Sequence, residues 1–237
     1  MDPIARRPPV LFAGDPHGNF SPILRACAAL RPGTLVLLGD CDCVRPLPDI
    51  LAPALGAGWD VRWILGNHDT ETETLFRNLV DAYPWGDIGT RVTEASGVRL
   101  AGLPGVFKPR VWYPRADPDG APVEPPRFGT RAGFLEAVGP QGGWQGGLPL
   151  WHRDTIFPED FDRLRQHHFD VLVTHEAPSC HRFGFSVIDE LAQACGARLI
   201  VHGHHHESYQ ATLPSGISVR GLANAETWLL PIADPDA

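Results

Sequence analysis

The sequence predicts an α/β fold, and three features of the chain support this fold class. Apolar runs with strand character alternate with helical segments along the first hundred residues. Three of these runs end in glycine followed by an acid or an amide, at Asp15, Asp40 and Asn67. The end of the chain carries several more short apolar runs separated by turn residues. Because ligands bind outside the carboxyl ends of strands in α/β sheets, we expect the three polar residues to converge there.

The first half of the chain predicts strands that alternate with helices. The predicted strands cover residues 10–14, 34–40 and 60–69, and the predicted helices cover 21–30, 49–58 and 72–83. Ser21 is the expected N-cap of the first helix, with Pro22 at its first position. Residues 91–105 predict two strands joined by a turn at Ser96-Gly97.

Regular structure is predicted again from residue 158. The predicted helices cover residues 158–167 and 186–196, and the predicted strands cover 170–178 and 198–206. Pro158 suits a helix start and Gly196 suits a helix end. The closing runs SYQATL, ISVRG and TWLLPI predict an antiparallel meander.

Residues 106–157 interrupt this rhythm with a Pro-, Gly- and Trp-rich insertion that shows little periodicity. An irregular insertion of this length is typical of a functional lid or of a disordered loop. Trp112, Trp144 and Trp151 favour an ordered cap, because disordered segments are poor in aromatic residues. We therefore expect a single domain over residues 1–237 with a cap at about 106–157.

Composition and charge restrict the class of partner. The net charge is −8 and no basic stripe is present, which disfavours extended nucleic-acid binding. No apolar run is long enough to span a membrane and no secretory signal is evident, so a cytoplasmic protein without membrane association is expected. The five cysteines are irregularly spaced, which indicates reduced thiols. Nothing in the sequence indicates an oligomeric state.

Polar residues suited to metal binding follow five apolar runs. They are Asp15 with His17, Asp40, Asn67 with His68 and Asp69, His175, and His204 with His206. A pair of divalent ions can clamp a phosphate and generate hydroxide near neutral pH. Such a pair needs a bridging carboxylate and several neutral imidazoles, and these strand ends supply both.

The segments GDPHG, GDCDC, GNHD, THEAP and HGHHH resemble the five motifs of the calcineurin-like metallophosphoesterase superfamily. They occur in the order of that family and span residues 14–206. The resemblance implies a four-layer αββα sandwich, with two mixed β-sheets between helices. It also implies an enzyme that hydrolyses a phosphomonoester or phosphodiester, and its substrate would be a nucleotide or another small phosphorylated molecule.

The resemblance assigns seven residues as ligands of two divalent metal ions. Asp15, His17 and His206 would bind the first ion, Asn67, His175 and His204 the second, and Asp40 would bridge both. Manganese is expected, with iron or zinc as alternatives. A water or hydroxide between the ions would attack phosphorus. His68 would protonate the leaving oxygen and is assigned as catalytic together with Asp69, which would orient His68 or cap the next helix.

The first motif is closest to the phosphoprotein phosphatase branch, but later motifs depart from it. Cys43 and Val44 stand where that branch has an Asp that positions the catalytic His and an Arg that holds phosphate, and Leu65 replaces a second Arg. Asp42 or Asp69 would then support His68. A protein Ser/Thr phosphatase-like enzyme and a catalytically silent metal-binding regulatory module remain the alternatives, with a nuclease disfavoured by the charge.

Other polar residues have competing interpretations. His205 is expected at the surface or behind the ligands, and His202 in the core or behind the ligands. His181 and Cys180 would belong to a plain loop or line the pocket. His152 with Arg153 would reach the substrate or remain structural. Three arginines would either lie on a solvated face or clamp a phosphate: Arg110, Arg115 and Arg131.

Overall fold

A computed structural model of the chain describes residues 7–115 and 124–231. The strands of this part are β1 (Val10–Ala13), β2 (Thr34–Leu37), β3 (Asp60–Trp63), β4 (Val92–Ala95), β5 (Val98–Leu103), β6 (Val171–Thr174), β7 (Leu199–His202), β8 (Tyr209–Thr212), β9 (Ser218–Gly221) and β10 (Thr227–Leu229). The α-helices are α1 (Ser21–Ala29), α2 (Leu47–Ile50), α3 (Ala52–Gly56), α4 (Glu73–Phe76), α5 (Arg131–Val138), α6 (Pro158–Leu164) and α7 (Ser186–Ala194). Within these residues, no helix combines the length and the apolar character that a membrane crossing requires.

The strands form two mixed sheets. The first has the order β10-β1-β2-β3, in which β1, β2 and β3 are parallel and β10 is antiparallel to β1. The second has the order β4-β5-β6-β7-β9-β8, with parallel strands in the middle and an antiparallel strand at each edge. The parallel pairs follow from the strand–helix alternation, because a parallel connection needs a crossover.

Side-chain alternation along the strands places the two sheets face to face between helices. In β1, Phe12 points into the apolar layer between the sheets, whereas Leu11 packs in the outer layer beneath α1. In the second sheet, Val173 lies in the inner layer and Leu172 packs in the outer layer with α6 and α7. The predicted α/β class and the αββα sandwich are therefore confirmed.

The predicted antiparallel meander at the end of the chain is wrong. Only β8 and β9 form a hairpin; β9 runs parallel to β7, and β10 crosses to the first sheet, where Leu229 pairs with Leu11. The Leu213–Ile217 turn carries hairpin signals, but the sequence of 222–226 does not distinguish a tight turn from a crossover. The free edge of β1 decides the pairing, because β10 supplies hydrogen-bond partners for the backbone groups of that edge.

Several predicted elements differ in detail. Ser21 is the first residue of α1 and Phe20 occupies the N-cap position, and the helix predicted over 49–58 is two short helices, α2 and α3. The helix predicted over 72–83 begins as α4 and continues as a π-helical turn, Arg77–Asp81. The turn predicted at Ser96-Gly97 is confirmed, with both residues at positive φ.

The described part of the insertion, 106–115 and 124–157, is packed against the sandwich. It contains α5, which the sequence did not indicate, and a small core of Val111, Phe134, Leu148 and Phe157. Trp112 stacks edge-on against Phe107, and Trp144 against Phe76. A 3₁₀ turn over Leu150–His152 contacts the turn over His68–Thr70, which brings the insertion next to the predicted catalytic histidine. Residues 116–123 of the insertion lie outside the described residues.

Candidate metal centre

The strand ends of both sheets meet at one edge of the sandwich and bring the seven predicted ligands together. Asp15, Asp40 and Asn67 follow β1, β2 and β3 of the first sheet. His175 follows β6 of the second sheet, and His204 and His206 follow β7. These ligands come from parallel strands, so their loops project from the same end.

The first group consists of Asp15, His17, Asp40 and His206, whose ligand atoms all lie within 4.8 Å of one another. His206 Nε2 lies 3.0 Å from His17 Nε2 and 3.3 Å from Asp15 Oδ2. Asp15 is fully buried, whereas His206 is exposed. The His206 side of the first group therefore faces solvent, so a substrate could reach an ion held there.

The second group consists of Asp40, His175 and His204, again with ligand atoms within 4.8 Å of one another. Asn67 Oδ1 lies 3.2 Å from His175 Nε2 and joins this group. Asp40 belongs to both groups, since its Oδ2 is 3.3 Å from His175 Nε2 and 3.9 Å from His17 Nε2. The carboxylate of Asp40 thus lies between two sets of ligand atoms.

The residues present fit a pair of cations. Asp15 Oδ1 is buried and has no hydrogen-bond donor among the described residues. The facing Nε2 atoms of His17 and His206 can share only one proton, so a cation is the natural third partner. A Cβ at Gly203 would lie 2.1 Å from Asp15 Oδ1, and one at Gly66 would lie 2.2 Å from Asp40 Oδ1. Carboxylate, amide and imidazole ligands together suit manganese, iron or zinc.

Backbone groups orient the ligands. His175 Nδ1 lies 2.7 Å from the Leu38 carbonyl and donates to it, which turns Nε2 towards Asp40. The backbone N–H of His68 donates to Asp40 Oδ1 at 2.8 Å, and that of His204 donates to Asp15 Oδ2 at 2.7 Å. Asp40 therefore keeps Oδ1 on the protein and presents Oδ2 to His17 and His175, whereas Asp15 Oδ2 lies beside both the His204 N–H and the His206 ring.

Asp40 and His175 form a buried charge pair. Burial alone would raise the pKa of Asp40, but the His175 imidazolium and the His68 N–H hold that pKa well below its usual range. Burial alone would lower the pKa of His175, but the Asp40 carboxylate raises it to about 10. Asp40 is consequently anionic at any physiological pH, and a cation at this place replaces the proton on His175.

The backbone is strained at the ligand positions. Five residues of these loops that are not glycine have positive φ: His17 (42°), Asp40 (48°), Asp42 (47°), His204 (69°) and His206 (55°). This region of backbone space is costly for side-chain-bearing residues, and such strain concentrates at functional sites. Four of the five are predicted ligands.

His68 lies beside the centre and is oriented by Glu71. The His68 ring meets the His17 ring edge-on at 5.0 Å, and its Nδ1 lies 2.9 Å from Glu71 Oε1. Asp42 instead contacts His17, with 3.0 Å between Oδ2 and Nδ1. Sequence reasoning missed Glu71, although its position one helical turn after His68 could have indicated it.

Asp69 does not contact the His68 ring and does not cap α4, whose N-cap is Thr72. Its buried carboxylate accepts from the backbone N–H groups of Gly66 at 2.9 Å and Cys41 at 2.8 Å. Burial and the Asp40 charge raise the pKa of Asp69 to about 7. Asp69 therefore joins the loops that carry Asp40 and Asn67.

The remaining histidines lie behind the ligands. His205 stacks on His181 with 4.0 Å between ring centres, and His202 Nε2 lies 2.7 Å from the Tyr209 hydroxyl. His152 is fully buried, with Nδ1 2.9 Å from Thr155 Oγ1. These contacts support structural roles for His152 and His202, whereas His205 belongs with Glu176 and His204 to a third group of ligand atoms within 4.8 Å of one another.

One candidate phosphate clamp, Arg131, and the candidate substrate residue Arg153 bind other groups of the protein. Arg131 makes short ion pairs with Asp160 and Glu159, and Arg153 donates to the Trp144 and Leu148 carbonyls. Arg115 donates to the Arg182 carbonyl and also lines a cavity of about 530 Å³ beside Asn67 and His204.

The fold and the cluster together define a class of protein. An αββα sandwich that collects Asp, Asn and His ligands at one strand edge is the architecture of the metallophosphoesterases. The sequence profile of the family described as calcineurin-like phosphoesterase matches residues 8–208. The chain belongs to this family.

Individual proteins are similar to this chain over most of its length. A protein of Haemophilus influenzae, described as uncharacterized, is 35% identical and is covered to 98% of its length by 95% of this chain. Among solved structures, the phosphopantetheinyl hydrolase of Mycobacterium tuberculosis is similar with a TM-score of 0.56 at 15% identity, over 98% of both chains. TT1561 of Thermus thermophilus has a TM-score of 0.53 at 11% identity, over 92% of this chain and 90% of that chain. At these identities the two structures show a shared fold.

Proposed function

We propose that the protein hydrolyses a phosphate ester of a small molecule, a monoester or a diester, at a centre of two divalent cations. The observation that supports this most is the position of Asp40, whose carboxylate belongs to both ligand groups. When bound, two such ions polarise a phosphoryl oxygen and lower the pKa of a water to near neutrality. Manganese is the expected metal, with iron or zinc as alternatives, and the setting is expected to be cytoplasmic.

Some residues position the metal ligands, and His68 transfers a proton. Asp15 and Asp40 each accept a hydrogen bond from a backbone N–H group, which limits the rotation of both carboxylates beside the centre. His68 Nδ1 contacts the Glu71 carboxylate, so Nε2 is the ring nitrogen that can donate a proton to the leaving oxygen. Asp69 keeps the two loops that carry Asp40 and Asn67 in register.

A small substrate is favoured over a phosphoprotein. The cavity beside Asn67 and His204 is walled by the insertion and has the volume of a small-molecule pocket, about 530 Å³. Val44, which stands where the phosphoprotein phosphatase branch has an arginine, is exposed and apolar. A site without that guanidinium lacks a bidentate phosphate clamp.

Hydrolysis of p-nitrophenyl phosphate and bis(p-nitrophenyl) phosphate, with added manganese, iron or zinc, tests the proposal. We expect turnover of at least one ester that EDTA abolishes. Asp40→Asn should reduce turnover by at least about a hundredfold and weaken both metals, because the neutral amide cannot bridge two cations. Asp162→Asn, an exposed carboxylate of α6, is the matched control and should behave like the wild type.

A protein that binds metal with the expected affinity but turns over neither ester would favour the silent regulatory module instead. Normal turnover and full metal occupancy in Asp40→Asn would contradict the bridging role of Asp40.

A further inference from the structure

One carboxylate beside the first group of ligands has no place in the ligand set. Asp42 Oδ2 lies 3.0 Å from His17 Nδ1, the ring nitrogen on the side away from the other ligands. The Nε2 atom of the same ring faces His206 Nε2 at 3.0 Å and Asp40 Oδ2 at 3.9 Å. Because the two nitrogens of an imidazole point in different directions, Asp42 lies behind His17 rather than among the ligand atoms.

The contact with Asp42 determines which nitrogen of His17 can bind a cation. A carboxylate only accepts hydrogen bonds, so His17 Nδ1 carries the proton and donates it to Asp42 Oδ2. The electron pair of Nε2 is then directed towards the other ligands. His175 has the same arrangement, because its Nδ1 donates to the Leu38 carbonyl while its Nε2 faces Asp40. A carboxylate partner also makes the coordinating nitrogen more basic.

The backbone of the chain holds Asp42 in place. Cys41 and Asp42 both donate their N–H groups to Asp69 Oδ1, at 2.8 Å and 3.3 Å. On the other side, the Cys43 carbonyl accepts from the Asn78 side chain at 2.8 Å. Asp42 has a φ of 47°, an unfavourable angle that persists only where the surrounding structure enforces it. The position of its carboxylate is therefore determined by bonds on both sides of the residue.

The loop that carries His17 is bonded to the same segment. The His17 N–H donates to the Asp40 carbonyl at 2.9 Å, and the Gly18 N–H donates to the Cys41 carbonyl at 3.1 Å. Asp42 Oδ1 is buried and has no hydrogen-bond donor in the described part of the chain, so the contact with His17 is what the carboxylate has there. The two side chains thus meet because both loops are fixed to each other through their backbones.

Building on the function proposed above, we propose that Asp42 is a positioning residue for the first metal ion: its carboxylate keeps the proton of His17 on Nδ1 and so presents Nε2 as the ligand atom. Asp42 touches neither the ion nor the substrate. Without it, the His17 ring can carry its proton on Nε2, and a protonated nitrogen does not bind a cation. Affinity for the first ion then falls, whereas the second ion, which does not use His17, keeps its affinity.

Two variants of Asp42 separate the carboxylate from the backbone. Asp42→Gly removes the acceptor and adopts positive φ without cost, whereas Asp42→Asn keeps an oxygen acceptor and also tolerates positive φ. In calorimetric titration of the EDTA-treated protein with manganese, we expect Asp42→Gly to weaken the first ion by about 10–100-fold and Asp42→Asn to restore most of that affinity. Gln145→Gly, at an exposed position with a φ of 48° outside the centre, is the control and should bind like the wild type.

The binding step that belongs to the first ion is identified by His206→Asn, which removes one of its ligands. Asp42→Gly should weaken this step and leave the other unchanged. An unchanged first step, or an equal loss of both ions, would overturn the role of Asp42, and the phosphoesterase proposal would still stand if the wild type hydrolyses its esters.

Long-range ¹H–¹⁵N NMR spectra in EDTA at about pH 8 locate the His17 proton without any metal, with the His17 signals identified by their loss in His17→Gln. We expect the proton on Nδ1 in the wild type and in Asp42→Asn, and a shift towards Nε2 in Asp42→Gly. A wild type that binds no manganese would contradict the proposed function, and these spectra would then decide the role of Asp42 separately. A proton on Nε2 in the wild type, or the same position in Asp42→Gly, overturns that role.

Discussion

At the scale of single residues, several ligands of the centre adopt unfavourable backbone angles that place their side chains at the centre. His17, His204 and His206 occupy the left-handed region, which costs about 1–3 kcal/mol for each residue that is not glycine. The rest of the fold must hold them there. A substitution that tolerates this backbone should therefore affect stability and metal binding in different ways.

His206→Asn separates the two effects, because asparagine adopts positive φ more readily than histidine. We expect the free energy of unfolding of the EDTA-treated protein to stay within about 1 kcal/mol of the wild type, since strain relief offsets the lost contact with Asp15. Manganese affinity, measured by calorimetry, should fall by at least about tenfold. His167→Asn, at an exposed position outside the centre, is the control.

Urea unfolding in EDTA gives the free energy of unfolding. If His206→Asn lost more than about 2 kcal/mol there while keeping its manganese affinity, His206 would be a structural residue rather than a ligand.

Polar residues close after apolar strands indicated the candidate ligands in the sequence, and the resemblance to the metallophosphoesterase motifs assigned them to two metal ions. Glu71 and Asp69 were harder to predict. A glutamate at the start of a helix is unremarkable in sequence, and only the turn over His68–Thr70 places Glu71 on the His68 ring. Asp69 was expected to act through a side chain, but its partners are backbone N–H groups, which every residue possesses.

At the scale of elements, the insertion depends on its junction with β5. Gly105 follows β5 with a φ of +81°, and its N–H donates to the Leu65 carbonyl at 2.7 Å. A Cβ there would lie 1.7 Å from the Asp154 carbonyl oxygen, so the two ends of the insertion approach each other at this point. Any residue larger than glycine at position 105 would push the two ends of the insertion apart.

Gly105→Ala should therefore destabilise the protein by about 1–3 kcal/mol, from positive φ and the clash with backbone together. Gly146→Ala is the matched control, because Gly146 has a φ of +70° but open space around its Cβ. It isolates the cost of positive φ, about 1 kcal/mol. Thermal unfolding of both variants measures the difference, and equal destabilisation would contradict the close approach.

His152 gives the same element a pH dependence. Burial, Lys108 and Arg110 lower the pKa of His152 to about 4, whereas an unfolded histidine titrates near 6.5. The unfolded state therefore binds the proton first, and stability is lost as pH falls from about 6.5 to about 4. His152→Leu should lose less stability over this range, by up to about 3 kcal/mol.

Urea unfolding of both proteins between pH 4 and pH 8 measures this difference. Parallel pH profiles would mean that His152 has the same pKa in the folded and unfolded states, which would contradict the lowered pKa of the folded protein.

The elements differ in how far the sequence determined them. The strands of the parallel core follow from their apolar runs, and the hairpin at Ser96-Gly97 follows from its turn residues. Helix α5 is short and lies among prolines and glycines, so its helical pattern of apolar residues is hard to see in the sequence. Its packing depends on contact between Phe134 and Phe157, which lies outside the helix. The direction of β10 is set by the free edge of β1, which is distant in sequence.

At the scale of the whole molecule, the centre joins the two sheets. Asp15, Asp40 and Asn67 come from the first sheet, and His175 and the two later histidines come from the second. A cation bound between them would add a link between two sheets that already meet through the apolar inner layer and through hydrogen bonds such as His175 to Leu38 and His204 to Asp15. Metal binding should accordingly stabilise the entire fold.

Free manganese at a hundred times its dissociation constant should add about 2.7 kcal/mol to the free energy of unfolding. For a chain of 237 residues this corresponds to a rise in Tm of about 5–10 °C, reversed by EDTA. Asp40→Asn should lose most of the rise, because Asp40 belongs to both ligand groups. A Tm independent of manganese in the wild type would contradict a centre that spans the two sheets.

The crossing of β10 has a kinetic consequence. Leu11 pairs with Leu229, 218 residues further along the chain, so the first sheet lacks its edge strand until almost all of the chain is present. Pairings of such large sequence separation slow folding, because loop closure must precede the stabilising contacts. During synthesis, β1 should therefore emerge early and wait for a partner that arrives late, and refolding should be slowest in the step that docks β10.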